Sequence, residues 1–474
     1  MEVQKSKNSD WFLGINKIDA LNIAAIDDQN NQITYGELVS FCNLFQKIIK
    51  PRAVVFHFSE NAVASLSFYI ACMQAKVVPL LLSPQTDSEL IKELINKYKP
   101  NYIITPDRLL PLFEAEVIFE KWDYKLLKTV HLFHQIDEDL SLLLPTSGST
   151  GSPKLVRHSY QNIESSASNV GDFFKLNSSD RAFAFLPMFY TMGLSVIHSY
   201  LKAGASLLLV KASMTDAKFW NLLKEGGATS ITGVPYSFEI LKKMRFFRMK
   251  LPNLKIITQG GGKLSEELYN DCVNFALENN LSFIPTYGQT EGTARMAFLD
   301  PSLVEVKKGS IGKSIPNGIL SIMDDSGEET FEGKATGEMV YRGENVTLGY
   351  ANELDDLNLK DQRNGILFTG DLAERDEDGF YYITGRKSRF LKLYGIRISL
   401  DEVEKLIIND FDVECVCGGN DNKMIVLITK QDVIKNVSDF IVQKTGLFHQ
   451  SFSVEFITEI PRNETGKVVF NAGL

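Results

Sequence analysis

The segment from Thr146 to Lys154, "TSGSTGSPK", combines hydroxyl side chains, glycines and one lysine, which are residue types that bind phosphate. It overlaps the end of the apolar run "LSLLLPT", which predicts a buried strand. Exposed backbone amides and hydroxyls can surround phosphate oxygens, and a lysine adds positive charge. A polar turn is the alternative for this segment alone. The loop pattern of P-loop ATPases is not met, because Pro153 replaces its second glycine and Leu155 its Ser or Thr.

A second segment, "IPTYGQTEG" from Ile284 to Gly292, joins an aromatic ring, a glycine, a hydroxyl and a carboxylate. Tyr287 could stack on a nucleotide base, and Thr290 could bind a phosphate oxygen. Glu291 could hold Mg²⁺, which prefers oxygen ligands. An ordinary loop is the alternative if this segment is considered by itself.

Three weaker sequence signals could also belong to a nucleotide site. The glycines of "QGGGKLS", Gln259 to Ser265, would let the backbone approach a flat ligand, although a flexible turn explains them equally. Asp371, in "FTGDLAERDEDGFYYITGR", could accept hydrogen bonds from ribose hydroxyls, and Arg386 ends that segment. A hairpin meander is the alternative there. Lys467, near the C-terminus, would by itself be interpreted as a solvated charge.

The elements that position these segments alternate between β-rich runs and helical patterns. "AVVFHF" predicts a strand, and the residues from Asn61 to Ala75 and from Tyr160 to Phe174 predict helices. This alternation predicts a large multi-layered α/β domain with parallel sheets, whose ligands bind at the carboxyl ends of the strands. After about Gly327 short β-like pieces predict a β-rich subdomain. The tail, with one helix from about Leu400, a hairpin and a second helix, predicts a small α+β domain.

We place the boundary near Lys387–Arg389, which gives domains 1–386 and 387–474. The sequence has 474 residues, 44% of them apolar and 23% charged, with a net charge of −9. This balance predicts a protein without a nucleic-acid partner. Five scattered cysteines do not resemble a disulfide framework, and no segment resembles a signal peptide or a membrane span. We therefore expect a cytoplasmic protein.

Taken together, the segments resemble the adenylate-forming superfamily of acyl- and aryl-CoA synthetases, peptide-synthetase adenylation domains and luciferases. The matching motifs cover nearly the whole chain in the family's order: "TYGEL", "TSGSTGSPK", "YGQTEG", "GEMVYRGENVTLGY", "TGD", "GRKSRFLKLYGIRI" and "ETGK". The resemblance implies that a carboxylic acid attacks the α-phosphate of ATP and gives an acyl-adenylate, from which a thiol then displaces AMP. ATP and Mg²⁺ would be required, with CoA or the phosphopantetheine arm of a carrier protein as acceptor.

The resemblance also assigns roles to individual residues. Thr290 would contact the α-phosphate and Glu291 would bind Mg²⁺, while Lys467 would bridge the substrate carboxylate and the α-phosphate. Asp371 would hold the ribose, with Arg386 beside the ribose or phosphate. The remaining nucleotide contacts would come from Thr146, Ser147, Gly148, Thr150 and Lys154 at the leaving phosphates, and from Tyr287, Gly260, Gly261 and Gly262 at the adenine.

The resemblance further implies that the C-terminal domain is mobile and moves for the thiol step. It would swing about a hinge after "GR", at Ser388, where many relatives carry Asp or Lys. Gly395 would then replace the lysine loop at the site. Gly288 and Tyr190 would lie on the substrate and thiol side. For Tyr190, which stands where many relatives have His, core packing is the alternative.

The acid is expected to be an aryl or aliphatic carboxylic acid. "LPMFYTMGL" lacks the Phe-Asp pair with which amino-acid-activating domains hold an ammonium group. Arg295 could face a polar substrate group, or could be a solvated or structural arginine. CoA is the expected acceptor, and a separate acyl carrier protein is the alternative. A catalytically silent nucleotide-binding protein and a P-loop kinase or ATPase are the rivals from other classes.

Overall fold

Helices and strands alternate along the chain, as the sequence predicts. The computed structural model describes residues 11–145, 154–387, 389–393, 396–420, 422–463, 468 and 470. The chain divides into two units, one formed by residues 1–319 and 341–367 and the other by residues 320–340 and 368–474. The second unit therefore also contains residues that precede the predicted boundary at residue 387. A mobile domain that begins near Lys387–Arg389 stays a prediction.

The α-helices among the described residues are α1 (Tyr35–Phe45), α2 (Val63–Gln74), α3 (Ser88–Tyr98), α4 (Tyr160–Phe174), α5 (Thr191–Lys202), α6 (Ala217–Glu225), α7 (Pro235–Lys243), α8 (Glu266–Glu278), α9 (Leu400–Phe411) and α10 (Ile434–Thr445). Local sequence explains where several begin. Ser159 caps α4, because its side chain accepts the N–H of Asn162 while the Asn162 side chain accepts the N–H of Ser159. Pro235 opens α7 at a position where its missing N–H costs nothing.

The strands of the first half are β1 (Ile23–Asp27), β2 (Gln32–Thr34), β3 (Val54–Phe58), β4 (Val78–Leu82), β5 (Tyr102–Pro106), β6 (Glu116–Lys121), β7 (Tyr124–Lys128), β8 (Leu140–Pro145), β9 (Leu155–Ser159), β10 (Arg181–Ala184), β11 (Ser206–Leu209), β12 (Ser230–Gly233), β13 (Ile256–Gln259) and β14 (Ser282–Tyr287). Those that follow are β15 (Ala297–Phe298), β16 (Lys313–Ser314), β17 (Ile319–Met323), β18 (Glu329–Thr330), β19 (Ala335–Arg342), β20 (Gly349–Ala351), β21 (Ile366–Arg375), β22 (Tyr381–Arg386), β23 (Phe390–Leu393), β24 (Ile396–Ser399), β25 (Cys415–Asn420), β26 (Lys423–Ile428) and β27 (Phe452–Phe456).

Two large sheets form the first unit. One has the order β16-β15-β14-β13-β12-β10-β11-β1-β2, and its strands from β14 to β1 are parallel. The other has the order β20-β9-β8-β4-β3-β5-β7-β6, with a parallel centre from β8 to β5. Parallel strands lie side by side with all their carboxyl ends at one edge, so the segments that follow β13 and β14 are neighbours.

The second unit is built from smaller sheets. A five-stranded sheet has the order β18-β17-β19-β21-β22, and β23 pairs with β24. In the tail, β25 and β26 form the expected antiparallel hairpin, and β27 adds to β26 in parallel. Helices α9 and α10 bury Val403, Ile407, Val437 and Ile441 in the core that covers this sheet. The multi-layered α/β fold with a β-rich part and an α+β tail is therefore confirmed.

The predicted helix from Asn61 to Ala75 is α2, and strand β4 follows it in the apolar segment from Ala62 to Pro84. Every residue from Val63 to Met73 is buried, because α2 is covered on all sides. Among the described residues, no helix has the length and apolar character needed to cross a membrane.

Candidate active site

The loop after β14 brings the predicted base-stacking, phosphate and Mg²⁺ residues into one tight turn. Tyr287 is the last residue of β14, and a 3₁₀ turn, Thr290–Gly292, follows it. The chain then folds back, because the N–H of Met296 donates to the carbonyl of Tyr287 at 2.8 Å. A Cβ added to Gly288 would lie 1.8 Å from the carbonyl oxygen of Ala294, so only glycine fits there. The role of Gly288 toward substrate or thiol stays a prediction.

The carboxylate of Glu291 is held in one orientation by strand β20 and the turn before it. The Tyr350 hydroxyl donates to Glu291 Oε1 at 2.7 Å. The N–H and the hydroxyl of Thr347 both donate to the Glu291 carbonyl at 3.0 Å. Burial, and then the charge of Glu291, raise the pKa of Tyr350 to about 12. The phenol therefore stays protonated at neutral pH and remains a donor to the carboxylate.

Two cations flank the ring of Tyr350. The Cζ atom of Arg363 lies 4.7 Å from the ring centroid, and the Nζ atom of Lys154 lies 5.7 Å from it. Arg363 also donates to the Thr347 hydroxyl. An oriented carboxylate beside two positive side chains fits a Mg²⁺–phosphate group, since the metal takes carboxylate oxygens and the cations take phosphate oxygens.

Asn345 fixes the other side of the same loop. Its amide nitrogen donates to the carbonyls of Gly292 at 2.8 Å and Arg295 at 3.2 Å. Its side-chain oxygen accepts from the Tyr341 hydroxyl at 2.8 Å, and its own carbonyl accepts from the Thr293 hydroxyl at 2.6 Å. Asn345 is fully buried, so these bonds replace water and tie the loop to the segment before β20.

The predicted adenine-edge glycines follow β13 and leave no room for side chains. A Cβ on Gly260 would lie 2.5 Å from Met192 Cε, and one on Gly261 would lie 2.8 Å from the Tyr190 hydroxyl. Gly261 also has φ +78°, a conformation that side chains rarely adopt. The start of α5 thus lies directly against this glycine segment, of which Gly262 is the last member.

Tyr190 is buried just before α5. It packs in a small apolar cluster with Leu186, Met192 and Val234. Burial raises the pKa of Tyr190 to about 12, while the positive charge of Arg295 acts in the opposite direction. Tyr190 is therefore a core residue whose hydroxyl reaches the glycine segment, and its part in lining a substrate pocket stays a prediction.

Arg295 is fully buried, so the expectation of a solvated arginine is wrong. Its Nη1 atom donates to the Ser195 hydroxyl at 2.7 Å, and its Cζ atom lies 5.3 Å from the Phe174 ring centroid. Its Nε and Nη2 atoms have no hydrogen-bond partner within the part of the chain that the structure describes. Burial lowers the pKa of Arg295 to about 10, which leaves it charged at neutral pH. An uncompensated buried charge costs about 3–5 kcal/mol.

In the second unit, the predicted ribose residues form a pair. Asp371 and Arg386 lie opposite each other on β21 and β22. Arg386 Nε donates to Asp371 Oδ1 at 3.0 Å. Asp371 is buried while the arginine side chain is more than half exposed. The arrangement positions the carboxylate, and its contact with a ribose stays a prediction.

The chain on both sides of position 388 is fixed by helix α9. Asp401 accepts the backbone N–H of Arg386 at 2.8 Å and also accepts from the Arg389 guanidinium. Arg389 further donates to Glu404 at 2.6 Å and to the Cys417 carbonyl at 2.9 Å. These contacts anchor Arg389 to the tail, and sequence reasoning did not identify them.

Several predicted residues lie outside the described residues: Thr146, Ser147, Gly148, Thr150, Ser388, Gly395 and Lys467. Tyr350, Thr347 and Asn345 were missed as individual residues. The signal that could have found them is the motif "GENVTLGY", which contains all three.

Comparison with known proteins finds a matching family, similar sequences and similar folds. A profile of the AMP-binding enzyme family matches residues 19–351. A 2-succinylbenzoate–CoA ligase from Bacillus cereus is 31% identical over 466 residues, which cover 94% of each chain. The structure of an O-succinylbenzoate coenzyme A synthetase from Bacillus subtilis in complex with AMP superposes with a TM-score of 0.76 at 20% identity, over 97% of each chain. The complex of such a synthetase from the same organism with ATP and magnesium ion gives a TM-score of 0.75 at 20% identity, over 97% of this chain and 98% of the other.

The chain belongs to the AMP-binding enzyme family, within the adenylate-forming superfamily. These matches confirm the expectation of an ATP-dependent acid–thiol ligase that forms CoA thioesters. The two rival classes, a P-loop kinase or ATPase and a silent nucleotide-binding protein, receive no support from these matches.

Proposed function

We propose that this chain activates a small aryl or aliphatic carboxylic acid as its acyl-adenylate and transfers the acyl group to CoA. The observation that carries the proposal is the arrangement around Tyr350, whose hydroxyl binds the Glu291 carboxylate after β14 and whose ring lies near Lys154 and Arg363. The relatives that share most of the chain's length have names that describe acid–CoA ligation.

The first step joins two anions, so the site must reduce their repulsion. Two unit charges about 4 Å apart repel by about 4 kcal/mol at an effective dielectric of about 20. Lys154 and Arg363 would hold phosphate oxygens, and Glu291 would hold Mg²⁺, which supplies charge neutralisation on the phosphates. The attacking carboxylate is already ionised at neutral pH, so no general base is required.

Other roles complete the proposal. Tyr287 and the glycines after β13 would hold adenine, Thr290 would contact the α-phosphate, and Asp371 with Arg386 would hold the ribose. Lys467, in the mobile C-terminal domain, would bridge the two reacting anions. A movement about Ser388 would then bring Gly395 to the site for the thiol step. The reaction would take place in the cytoplasm, where ATP and CoA are available.

The proposal is tested by acid-dependent exchange of labelled pyrophosphate into ATP, followed by AMP release with CoA. We expect exchange with at least one acid from a panel that includes benzoate, indoleacetate, hexanoate and 2-succinylbenzoate, and a thioester on adding CoA. Exchange without a CoA thioester, but with acylation of a phosphopantetheinylated carrier protein, would replace CoA by a carrier. No exchange with any acid of the panel would overturn the proposal, and release of ADP would replace it by transfer of the γ-phosphate.

A further inference from the structure

The hydrogen-bonding capacity of Arg295 is largely unused. A guanidinium has N–H donors on all three nitrogens and no acceptor. Only Nη1 has a partner among the described residues, the Ser195 hydroxyl at 2.7 Å. Since the side chain is fully buried, bulk water does not hydrate the other two nitrogens. The arginine thus keeps its charge and two aligned donors in an apolar setting.

The unused donors have a particular geometry. Nε and Nη2 lie side by side on one edge of the planar guanidinium. This edge binds a carboxylate through two parallel N–H···O bonds. Ser195 occupies Nη1, which leaves the two-donor edge intact. The chemistry that matches it is a planar oxyanion, above all a carboxylate.

The position of Arg295 connects this edge to the nucleotide segments. Arg295 lies four residues after Glu291 in the same loop, whose backbone Asn345 fixes. Its partner Ser195 is on α5, one turn after Met192, whose Cε atom adjoins Gly260. Three residues of helix correspond to about 4.5 Å. The residue that adjoins the glycine segment and the residue that binds Arg295 are therefore about one helical turn apart along α5.

We propose that Arg295 binds a second carboxylate of the substrate, so that the acid is a short dicarboxylic acid whose other carboxylate is activated. This inference rests on the proposed function and deepens it by naming the substrate class. Binding of the second carboxylate would compensate the buried charge and fill the two-donor edge. A monocarboxylic acid of the same shape would leave both N–H groups unpaired, and sites built to pair a polar group discriminate strongly against analogues that lack it.

A matched pair of acids tests the proposal. 2-Succinylbenzoate and 4-oxo-4-phenylbutanoate differ only in the ring carboxylate. Pyrophosphate exchange by the wild-type protein should show kcat/KM at least about 100-fold higher for the diacid. Arg295→Met should remove most of this preference by raising the KM for the diacid, with the KM for ATP unchanged. Glutarate and pentanoate provide a second, aliphatic pair in case the aryl ring is too large.

Arg295→Lys is the second variant, because it keeps the charge and loses the two-donor edge. We expect it to recover part of the preference for the diacid. The thermal midpoint of Arg295→Met, measured without ligand, should not fall below that of wild type, because the substitution removes an uncompensated buried charge. Addition of the diacid with ATP analogue should raise the midpoint of the wild type and not that of the Met variant.

The outcomes separate the two proposals. If no acid supports exchange, the proposed function fails. If monoacids are used as well as their diacid partners, or if Arg295→Met reduces the exchange of both acids equally, the ligase stands and the dicarboxylate inference is overturned. A large fall in the thermal midpoint of Arg295→Met without ligand would also overturn it, since it would assign Arg295 to the fold.

Discussion

Arg157 and Arg295 are both fully buried arginines of the first unit, yet their surroundings differ. Arg157, on β9, donates to the carbonyls of Tyr350 at 3.0 Å and Leu348 at 3.1 Å, and also to the carbonyls of Leu359 and Lys360 and to the side chain of Gln362. Arg295 has the Ser195 hydroxyl and two unpartnered nitrogens within the described residues.

This difference separates an arginine that stabilises the fold from an arginine that can bind a ligand. The acceptors around Arg157 are supplied by the chain itself, so the folded state stabilises this cation without help. The acceptors for Arg295 are not supplied by the described chain, so we assign them to the substrate. Burial lowers the pKa of both arginines, which shows that desolvation alone does not separate the two cases.

The largest expected effect is on stability, and its absence would contradict the comparison of Arg157 with Arg295. Arg157→Met leaves several buried carbonyls without donors, so the free energy of unfolding should fall by about 3–5 kcal/mol. The same substitution at Arg295 is the matched control and should not lower the free energy of unfolding, because it removes an uncompensated buried charge. Urea denaturation of both variants measures the difference. Equal losses at the two sites would contradict it.

The second effect is on catalysis and concerns the strand that Arg157 supports. Tyr350→Phe removes the hydrogen bond to the Glu291 carboxylate, and bonds to charged groups contribute about 1.5–3 kcal/mol. Pyrophosphate exchange should therefore fall about 10- to 100-fold, with a higher Mg²⁺ requirement. Tyr98→Phe is the control, because the Tyr98 hydroxyl donates to Ala351 on the same strand without touching Glu291. A similar loss in both variants would indicate a general effect on β20.

The third effect follows from the pKa of Arg295. Burial lowers this pKa to about 10, so the free enzyme carries the positive charge below pH 10 and loses it above. Tyr190 and Tyr200, the two titratable groups whose charge would act on Arg295, have raised pKa values and stay neutral over that range. The kcat/KM for the diacid should be level from pH 7 to 9 and then fall by up to about 10-fold per unit above pH 10.

The monoacid serves as the internal control for this pH profile. Its kcat/KM should not share the fall near pH 10 beyond what general denaturation causes in both profiles. Parallel profiles for the two acids would show that Arg295 does not act on the second carboxylate.

The smallest effect is expected at the hydroxyl that orients Arg295. Ser195→Ala frees Nη1 and lets the guanidinium rotate, so the KM for the diacid should rise about two- to five-fold, because Ser195 acts on the diacid only by orienting Arg295. Ser199→Ala is the control, since the Ser199 hydroxyl bonds to the carbonyl of Ser195 within the same helix. No difference between the two variants would argue against an orienting role.

Much of the fold was predictable because its signals are local. Helix α4 was predicted from Tyr160 to Phe174 and has those bounds, since its capping residues and apolar spacing lie within the segment itself. Helix α2 was predicted from Asn61 to Ala75 for the same reason, and it spans Val63–Gln74. The position of Glu291 after a strand was also predictable. Its role in Mg²⁺ binding, which the family motif implies, stays a prediction.

Contacts between distant segments were not predictable. Tyr350 is 59 residues from Glu291 in the sequence, and no local pattern near either residue predicts their hydrogen bond. The same holds for the anchoring of Arg389 by α9 and β25. For Arg295, sequence reasoning left three alternatives open, and burial removed one of them.

The sequence by itself determined the helices, the strands, the order of the motifs and the family, because these depend on residue types at short and regular spacing. The tertiary structure decided which buried polar groups have partners, because a hydrogen bond between Arg295 and Ser195, 100 residues apart, exists only after the chain has folded. The free energy of a buried charge depends on how many hydrogen-bond partners the folded chain supplies to it. We assign Arg157 to the fold and Arg295 to the substrate on this basis.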